Sequence, residues 1–163
     1  MYVLRRSDRQ INNFLEITDI LSRATTIRLG INANPYPYVV PLSFGFEAVN
    51  EKITLYFHGA FEGYKHELIK ANPMVCVEAD IFYRYAQVED SFTTEYESVI
   101  GFGKAMRITG NEALKGLNLL MGHCGFNGYT LDSCVLTYTN VYKIQLESVT
   151  GKRRLIEENA KMK

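Results

Sequence analysis

The sequence predicts a mainly β fold, a β-barrel with flanking helices that is built from six or so mostly antiparallel strands. Six segments are rich in β-branched and aromatic residues, and turn-forming sequences lie between them. The short helical patterns do not follow each strand, as they would in a doubly wound parallel sheet. An antiparallel barrel accommodates this order of elements, so it is the expected architecture.

The chain has 163 residues, of which 47% are hydrophobic, and this suits one domain with a sizeable core. Apolar residues recur at three- and four-residue steps near the N-terminus and predict an amphipathic helix over residues 8–24. A continuous helix and a helix broken near Asn13 are both compatible with this pattern. The charged sequence of residues 152–163 predicts a C-terminal tail. We therefore expect a single domain over residues 1–163.

The first half of the chain predicts a β-meander that is followed by a helix. Residues 25–47 hold two strand patterns around the turn sequence NANP, which indicates a hairpin. Asn50-Glu51 forms the next turn, before a strand over residues 53–58. The helix after this strand is expected to end near Asn72-Pro73, because the residue before a proline disfavours helical geometry.

The second half predicts two more strands, a helix and a last strand. Residues 74–85 predict a long strand, whereas the acidic and polar residues 86–96 predict a loop. Residues 98–109 predict a strand in which the glycines of the GFG sequence favour a bulge or the close approach of another backbone. A helix that starts from an Asn111 cap follows, and the final strand pattern covers residues 135–149.

Composition argues against several classes of protein. Eighteen basic and 18 acidic residues give a formal net charge of zero, so the broad positive field of a non-specific nucleic-acid binder is missing. No run reaches the ~18 apolar residues of a membrane span, and no apolar export segment follows the N-terminus. Cys76, Cys124 and Cys134 have spacings unlike a zinc site and predict reduced thiols in a cytoplasmic protein. His123 beside Cys124 lacks further ligands, so we expect no metal.

The segment ITLYFHGAFEGYKHELIK carries the clearest chemical signal. Its strand runs into Gly59 and Gly63 before Lys65 and a helix. Glycines let a ligand approach the backbone, the first N–H groups of a helix lack intrahelical partners, and lysine adds a positive charge, so a phosphate is the expected ligand. A structural strand-to-helix turn is the alternative. The sequence GxxxxGK[ST], the dinucleotide fingerprint and a hydrolase triad are all missing.

Two further features have both a functional and a structural interpretation. Pro37 and Pro41 interrupt a strand pattern and favour a sheet edge or a bulge. Such an edge leaves backbone groups at Leu42, Ser43 and Phe44 free for a flat heterocycle, although a plain edge is the simpler interpretation. His58 ends an apolar strand, where a histidine either contacts a ligand or is a hydrogen-bonded structural residue.

The sequences PYVVPLSFGFE, LYFHGAFEGYKHELIKANPMVCVE, SVIGFGKA and TGKRR together resemble the pyridoxamine 5′-phosphate oxidase-related flavoproteins, specifically the nitroimidazole resistance branch. The resemblance extends from Arg5 to Arg154. It implies a split β-barrel that binds FMN, with FAD as the alternative flavin. It also implies a homodimer with two flavins at the subunit interface.

The resemblance also implies which residues bind the cofactor. The isoalloxazine ring would contact the strand with the two prolines, the ribityl chain and phosphate would contact the glycine-lysine segment, and the GFG strand and the basic C-terminal residues would complete the site. The cofactor-binding residues are thus Val40, Pro41, Leu42, Ser43, His58, Gly59, Ala60, Gly63, Lys65, Ser98, Val99, Ile100, Gly101, Lys152, Arg153 and Arg154.

For activity, the resemblance implies a nitroreductase-like oxidoreductase in which an external donor reduces the flavin and a nitro-aromatic substrate accepts the electrons. His58 is the candidate catalytic residue, as a proton donor or substrate contact. The arginine and histidine pattern of true pyridoxamine 5′-phosphate oxidases is missing, so that activity is the weaker expectation. A flavin- or haem-binding carrier or sensor without turnover is the alternative from another class.

Overall fold

The computed structural model describes residues 6–156, and eight strands within them form one sheet in which all the paired strands run antiparallel. This confirms the predicted mainly β class, with eight strands in place of about six. Three α-helices and two short 3-10 helices flank the sheet. The strands are β1 (Gln10–Ile11), β2 (Ile27–Ile31), β3 (Tyr38–Leu42), β4 (Gly45–Val49), β5 (Lys52–Gly59), β6 (Met74–Val88), β7 (Ser91–Ile108) and β8 (Asn140–Arg154). The helices are α1 (Phe14–Arg23), α2 (Tyr64–Ala71), α3 (Gly110–His123) and the 3-10 turns Ser7–Arg9 and Ser133–Thr137.

The order of the strands forces the sheet to curl into a barrel. The order is β3-β2-β6-β7-β8-β5-β4, with β1 paired beside β8. In a flat sheet, the six spacings between β3 and β4 would separate these strands by about 29 Å. Only Ser43 and Phe44 connect them along the chain, and three Cα–Cα steps span at most ~11 Å. The two ends of the sheet therefore lie close together, without pairing across the gap between them.

The main core lies inside this curled sheet and is closed by α1. The inward side chains of every second residue in β2, β5, β6 and β7 are buried. From α1, Ile17, Ile20 and Leu21 reach the same core, and Ile20 and Leu21 are at most 1% exposed. The helix begins at Phe14 because the Asn13 side chain accepts hydrogen bonds from the next free N–H groups. The break near Asn13 is thus confirmed, and the N-terminal helix is shorter than residues 8–24.

Helix α3 covers the other end of the barrel by close contact with the sheet. A Cβ atom on Gly45 would lie 2.3 Å from the backbone nitrogen of Leu120, so only glycine allows this approach. Gly116 of the helix packs in the same way against the Tyr56 ring, where a Cβ atom would lie 2.6 Å from a ring carbon. The helix begins at Gly110, with Thr109 as the N-cap residue in place of the predicted Asn111.

Several local predictions are confirmed. Asn50 and Glu51 form the turn between β4 and β5 with positive φ angles of 52° and 58°. Helix α2 ends at Ala71, and Asn72 is its C-cap residue. In the GFG strand, the register shifts between Phe102 and Gly103, and a Cβ atom on Gly103 would lie 2.2 Å from the Gln145 carbonyl oxygen. Both the predicted bulge and the close backbone approach are present.

Two predictions about irregular segments are wrong. Residues 86–96, predicted as a loop, are strand apart from a tight turn at Glu89-Asp90. Strands β6 and β7 pair as one long hairpin, from the pair Met74 and Lys104 to the pair Val88 and Ser91. Residues 152–154 are the end of β8, paired with β7 and with β1, and they are not a tail. The predicted tail residues 157–163 lie outside the described part of the chain. Within residues 6–156, no helix has the length and apolar character that crossing a membrane requires.

Candidate functional site

The glycine-lysine segment forms a tight connection between β5 and α2. Gly63 precedes the helix with φ 136° and ψ 157°, a conformation that is essentially restricted to glycine. Glycine has no side chain with which to cap the helix, and the Gly63 carbonyl accepts the hydrogen bond from the His66 N–H at 3.0 Å. The buried Asn140 of β8 holds the connection in place, because its side-chain amide donates to the carbonyl oxygens of Ala60 and Phe61 at 3.2 Å each.

The first turn of α2 folds back over the end of β5. A Cβ atom on Gly59 would lie 2.9 Å from the Lys65 ammonium nitrogen and 3.1 Å from Nε2 of His66. A larger residue at position 59 would therefore displace both side chains. We call the group Gly59, Gly63, Lys65 and His66 the helix-start site.

Lys65 gives this site its positive charge. Its ammonium nitrogen lies 5.4 Å from the centroid of the Phe57 ring, and burial lowers the pKa of the ammonium. No carboxylate among residues 6–156 forms an ion pair with it. An unpaired and partly desolvated ammonium is available to an anion, for which a charge-assisted hydrogen bond is strongest.

His58 lies beside this site on the opposite face of β5. Successive residues of a strand face opposite sides, and His58 is exposed whereas Phe57 is buried. The surrounding protein and the charge of Lys65 both lower the pKa of the His58 imidazole. The ring is therefore neutral near pH 7 and accessible, which suits a hydrogen-bonding contact with a ligand.

A cavity of about 760 Å³ opens next to the helix-start site, between α2 and the ends of β7 and β8. Its volume is within the usual range of small-molecule sites. We call it the α2 cavity. Of the predicted cofactor-binding residues, only Gly63 lines this cavity. The polar side chains that line it are those of Glu62, His66, Glu67, Lys70, Arg107, Asn140 and Tyr142.

The sequence analysis missed Arg107 and Tyr142. The Arg107 guanidinium lies over the Phe61 ring at 5.9 Å and forms no ion pair within the described chain. Tyr142 lies between the rings of Phe57 and His66. Both residues are in β strands far along the chain, and only the pairing of β5, β7 and β8 brings them to α2. No local signal in the sequence indicates that pairing.

The second predicted group lies on β3. Within the described residues β3 pairs only with β2, so the edge strand predicted from its prolines is confirmed. Val40 and Leu42 pack against the core, whereas Pro41 and Ser43 are exposed. The Tyr38 ring at the start of β3 contacts the Tyr64 ring of α2 edge to face, with centroids 5.3 Å apart. This contact joins the β3 edge to the helix-start site.

The third predicted group lies on the outer surface of β7 and β8. Ser98 and Ile100 face outward, and Ser98 is opposite Lys152 in the strand pairing. Val99 and Gly101 face inward and are buried, so their side chains do not reach a surface ligand. Within a single chain, strands β2 and β6 lie between β3 and β7, so the third group is about 14 Å from β3. The structure thus brings the first two groups together and keeps the third apart.

Arg153 forms ion pairs with two carboxylates of its own chain. The Glu97 carboxylate, 2% exposed, accepts hydrogen bonds from Arg153 Nε at 2.5 Å and from Tyr83 at 2.6 Å, and Arg23 pairs with it at 2.7 Å. Arg153 also donates to Glu16 at 2.6 Å. Burial opposes ionisation of Glu97, but these three partners outweigh it and lower the pKa of the carboxyl. Arg153 therefore stabilises the fold instead of offering a free charge to a phosphate.

Arg154 and Lys152 differ from Arg153. The Nε atom of Arg154 is buried without a hydrogen-bond partner among the described residues. Lys152 is partly exposed at the start of the β1 pairing, opposite Gln10. Of the three basic residues, Lys152 is the one that lies opposite Ser98 on this outer surface.

Comparison with protein families identifies the family of this chain. The sequence profile described as pyridoxamine 5′-phosphate oxidase matches residues 15–153, most of the chain. The chain belongs to this family. The matched range includes the β3 edge, the helix-start site and all of β8 except Arg154 in one continuous stretch. Among curated protein sequences, none matches significantly.

Several solved structures resemble this pyridoxamine 5′-phosphate oxidase family member. A candidate 5-nitroimidazole antibiotic resistance protein from Bacteroides thetaiotaomicron is 28% identical, with a TM-score of 0.78 over 88% of this chain and 85% of that one. A flavocytochrome from Azotobacter vinelandii is 18% identical, with a TM-score of 0.77 over 98% and 78% of the two chains. An FAD-binding protein from Mesorhizobium loti is 24% identical, with a TM-score of 0.63 over 90% and 98%. The last two similarities establish the split-barrel fold alone.

The Glu97 cluster generates a stability prediction. Glu97→Gln is expected to lower the free energy of unfolding by about 3 kcal/mol, because two arginines and a tyrosine hydroxyl lose their buried carboxylate partner. Since the pKa of Glu97 lies below the ordinary 4.5, its contribution is full above pH 4.5 and is lost as pH falls through the lowered value. The variant is therefore less sensitive to acid than the wild type. Urea denaturation at several pH values measures both effects.

Glu147→Gln is the matched control for this prediction. Glu147 pairs with Lys104 at 3.6 Å, and both side chains are 54% exposed. Its loss should change stability by less than about 0.5 kcal/mol. Equal effects of the two substitutions would contradict the structural role of Glu97.

Proposed function

We propose that the protein is an FMN-binding oxidoreductase that reduces nitro-aromatic compounds. The observation that carries the proposal is the unpaired Lys65 ammonium beside Gly59 and Gly63, next to an unpaired sheet edge that suits a flat ring. The 28% identity to the candidate nitroimidazole resistance protein supports the class of substrate.

The residues of the helix-start site fit a phosphate group. Gly63 holds a backbone conformation that favours glycine, and the start of α2 has no side-chain cap for its free N–H groups. These N–H groups and the Lys65 ammonium are all donors, which a phosphate dianion requires. The Tyr38–Tyr64 contact lies between this site and the β3 edge, so phosphate and ring ends of one flavin would bind on either side of it.

Each group of residues has a defined role in this proposal. When bound, FMN would supply the electron transfer from an external donor to the nitro group. Lys65 binds the phosphate, and the free backbone groups of Leu42 and Ser43 bind the pyrimidine edge of the ring. His58, neutral and exposed beside Lys65, contacts the substrate and donates a hydrogen bond to it from its ring N–H.

The proposed reaction is tested with the purified protein. Loaded with FMN and reduced anaerobically, it is expected to be reoxidised by a 5-nitroimidazole, which stopped-flow absorbance measures. Mass analysis of flavin released from protein purified without added cofactor distinguishes FMN from FAD. Flavin binding without nitroimidazole-dependent reoxidation would identify a carrier or sensor. A protein that takes up no flavin would refute the proposal, and a haem spectrum would assign a haem carrier.

The role of Lys65 gives a second prediction. Lys65→Met is expected to weaken FMN binding about 10- to 100-fold and to leave riboflavin binding unchanged, because a charge-assisted phosphate contact is worth ~1.5–3 kcal/mol. Isothermal titration with both flavins measures this difference. Lys52→Met is the control, since it removes the same charge at the opposite end of β5, and it should bind FMN like the wild type. An equal loss of FMN affinity in both variants would show that FMN binding depends only on the net charge of the protein.

We also propose that the protein is a homodimer that uses the outer face of the sheet. Val39, Gly30, Cys76 and Phe102 lie opposite one another across four strands, so they form one row on this face. Val39 is 59% exposed and Phe102 48%, which is unusual for large apolar residues in a row. A second copy on this face would supply Ser98, Ile100 and Lys152 to a flavin held by β3 and α2 of the first.

Phe102→Lys is expected to convert the dimer to a monomer, because it introduces a charge in the middle of this apolar row. Sedimentation velocity measures the change. Phe126→Lys is the control, since Phe126 is similarly exposed, at 53%, but lies in the segment after α3. A monomeric wild type, or a Phe102→Lys variant that remains dimeric, would contradict the proposed interface.

A further inference from the structure

The rings of Phe57, Tyr142 and His66 form a stack that fixes the orientation of His66. Phe57 and Tyr142 are nearly parallel, with centroids 5.1 Å apart, and Tyr142 and His66 are 5.4 Å apart at an angle of 19°. In addition, Nδ1 of His66 lies 3.0 Å from the Tyr142 hydroxyl. The ring stacking and the hydrogen bond together hold the imidazole in one orientation, in which Nδ1 faces the Tyr142 hydroxyl.

The buried hydroxyl determines which nitrogen of His66 carries the hydrogen. Tyr142 is 5% exposed, and within residues 6–156 the imidazole is the only hydrogen-bond partner of its hydroxyl. Donation from the hydroxyl to Nδ1 gives the hydroxyl hydrogen an acceptor within the protein, whereas the reverse direction does not, so this arrangement is favoured. Burial, Lys65 and Arg107 lower the pKa of His66, and burial raises the pKa of Tyr142, so both groups are neutral near pH 7. The single N–H of the imidazole is then at Nε2.

Nε2 of His66 lies next to Lys65 at the helix-start site. A Cβ atom built on Gly59 would be 3.1 Å from Nε2 and 2.9 Å from the Lys65 ammonium nitrogen, so both donors lie over the same glycine. Cδ2 of His66, the ring carbon bonded to Nε2, would be 3.8 Å from a Cβ atom on Gly63. The donor edge of the ring thus lies between the two glycines.

We infer that His66 is a second phosphate ligand, which donates from Nε2 to the same phosphate that Lys65 binds, and that Tyr142 is the positioning residue that sets its tautomer. The inference rests on the proposed function, since the phosphate is that of FMN. It assigns His66 a part in the discrimination between phosphorylated and unphosphorylated flavin.

The test compares variants that keep or remove this donor. His66→Leu is expected to weaken FMN binding about tenfold or more and to leave riboflavin binding within about twofold, as expected for the loss of one hydrogen bond to a charged group. His66→Gln can place an amide N–H near the position of Nε2 and should recover most of the FMN affinity. Tyr142→Phe keeps the ring stack but removes the hydroxyl, and it should weaken FMN binding less than His66→Leu does. Titration calorimetry with FMN and riboflavin measures each effect.

A second measurement does not depend on flavin. Long-range proton–nitrogen NMR of the flavin-free wild type should show His66 protonated at Nε2, and Tyr142→Phe should show a mixture of tautomers. An Nδ1-protonated His66 in the wild type, or equal losses of FMN and riboflavin in His66→Leu, would overturn the inference. A wild type that binds neither flavin would instead overturn the proposed function, so the two failures are distinguishable.

Discussion

The two-residue connection between β3 and β4 is the constraint on which the rest of the structure depends. Because these strands are at opposite ends of the strand order, their short connection requires the sheet to close on itself. Phe44 within the connection is fully buried and lies 4.3 Å from the His123 ring of α3, which anchors it. Closure of the sheet brings β3 to the start of α2, where Tyr38 contacts Tyr64. The pairing of β8 with β5 and β7 places these strands beside α2, and the α2 cavity lies between them.

The cations of this chain divide into those that pair with carboxylates and those that do not. The formal net charge of the chain is zero, but its cations are not equivalent. Arg23 and Arg153 bind the buried Glu97, and Arg28 pairs with Glu78 at 2.9 Å. Lys65 and Arg107 have no carboxylate partner among residues 6–156 and both lie over aromatic rings. Two cations without a carboxylate partner therefore lie close to α2, which net charge alone does not indicate.

The sequence predicted the features that require a particular local backbone chemistry. Pro41 indicated an edge strand because proline has no N–H to donate, and β3 is an edge strand. Gly103 indicated a bulge with close backbone contact, and both are present. In contrast, the polar residues 86–96 form strands because the two halves of a long hairpin pair with each other. Their strand conformation depends on the partner strand, and local propensity gives no information about it.

By itself, the sequence determined the mainly β class and the turn from β5 into α2 that places Gly63 and Lys65 at the start of this helix, because hydrophobic period and glycine or proline chemistry act within a few residues. The tertiary structure decided the rest. It buried Val99, paired Arg153 with Glu97, and brought Tyr142 to His66. These outcomes depend on strand register and on burial, which are set by contacts between residues distant in the chain, so no short stretch of sequence contains them.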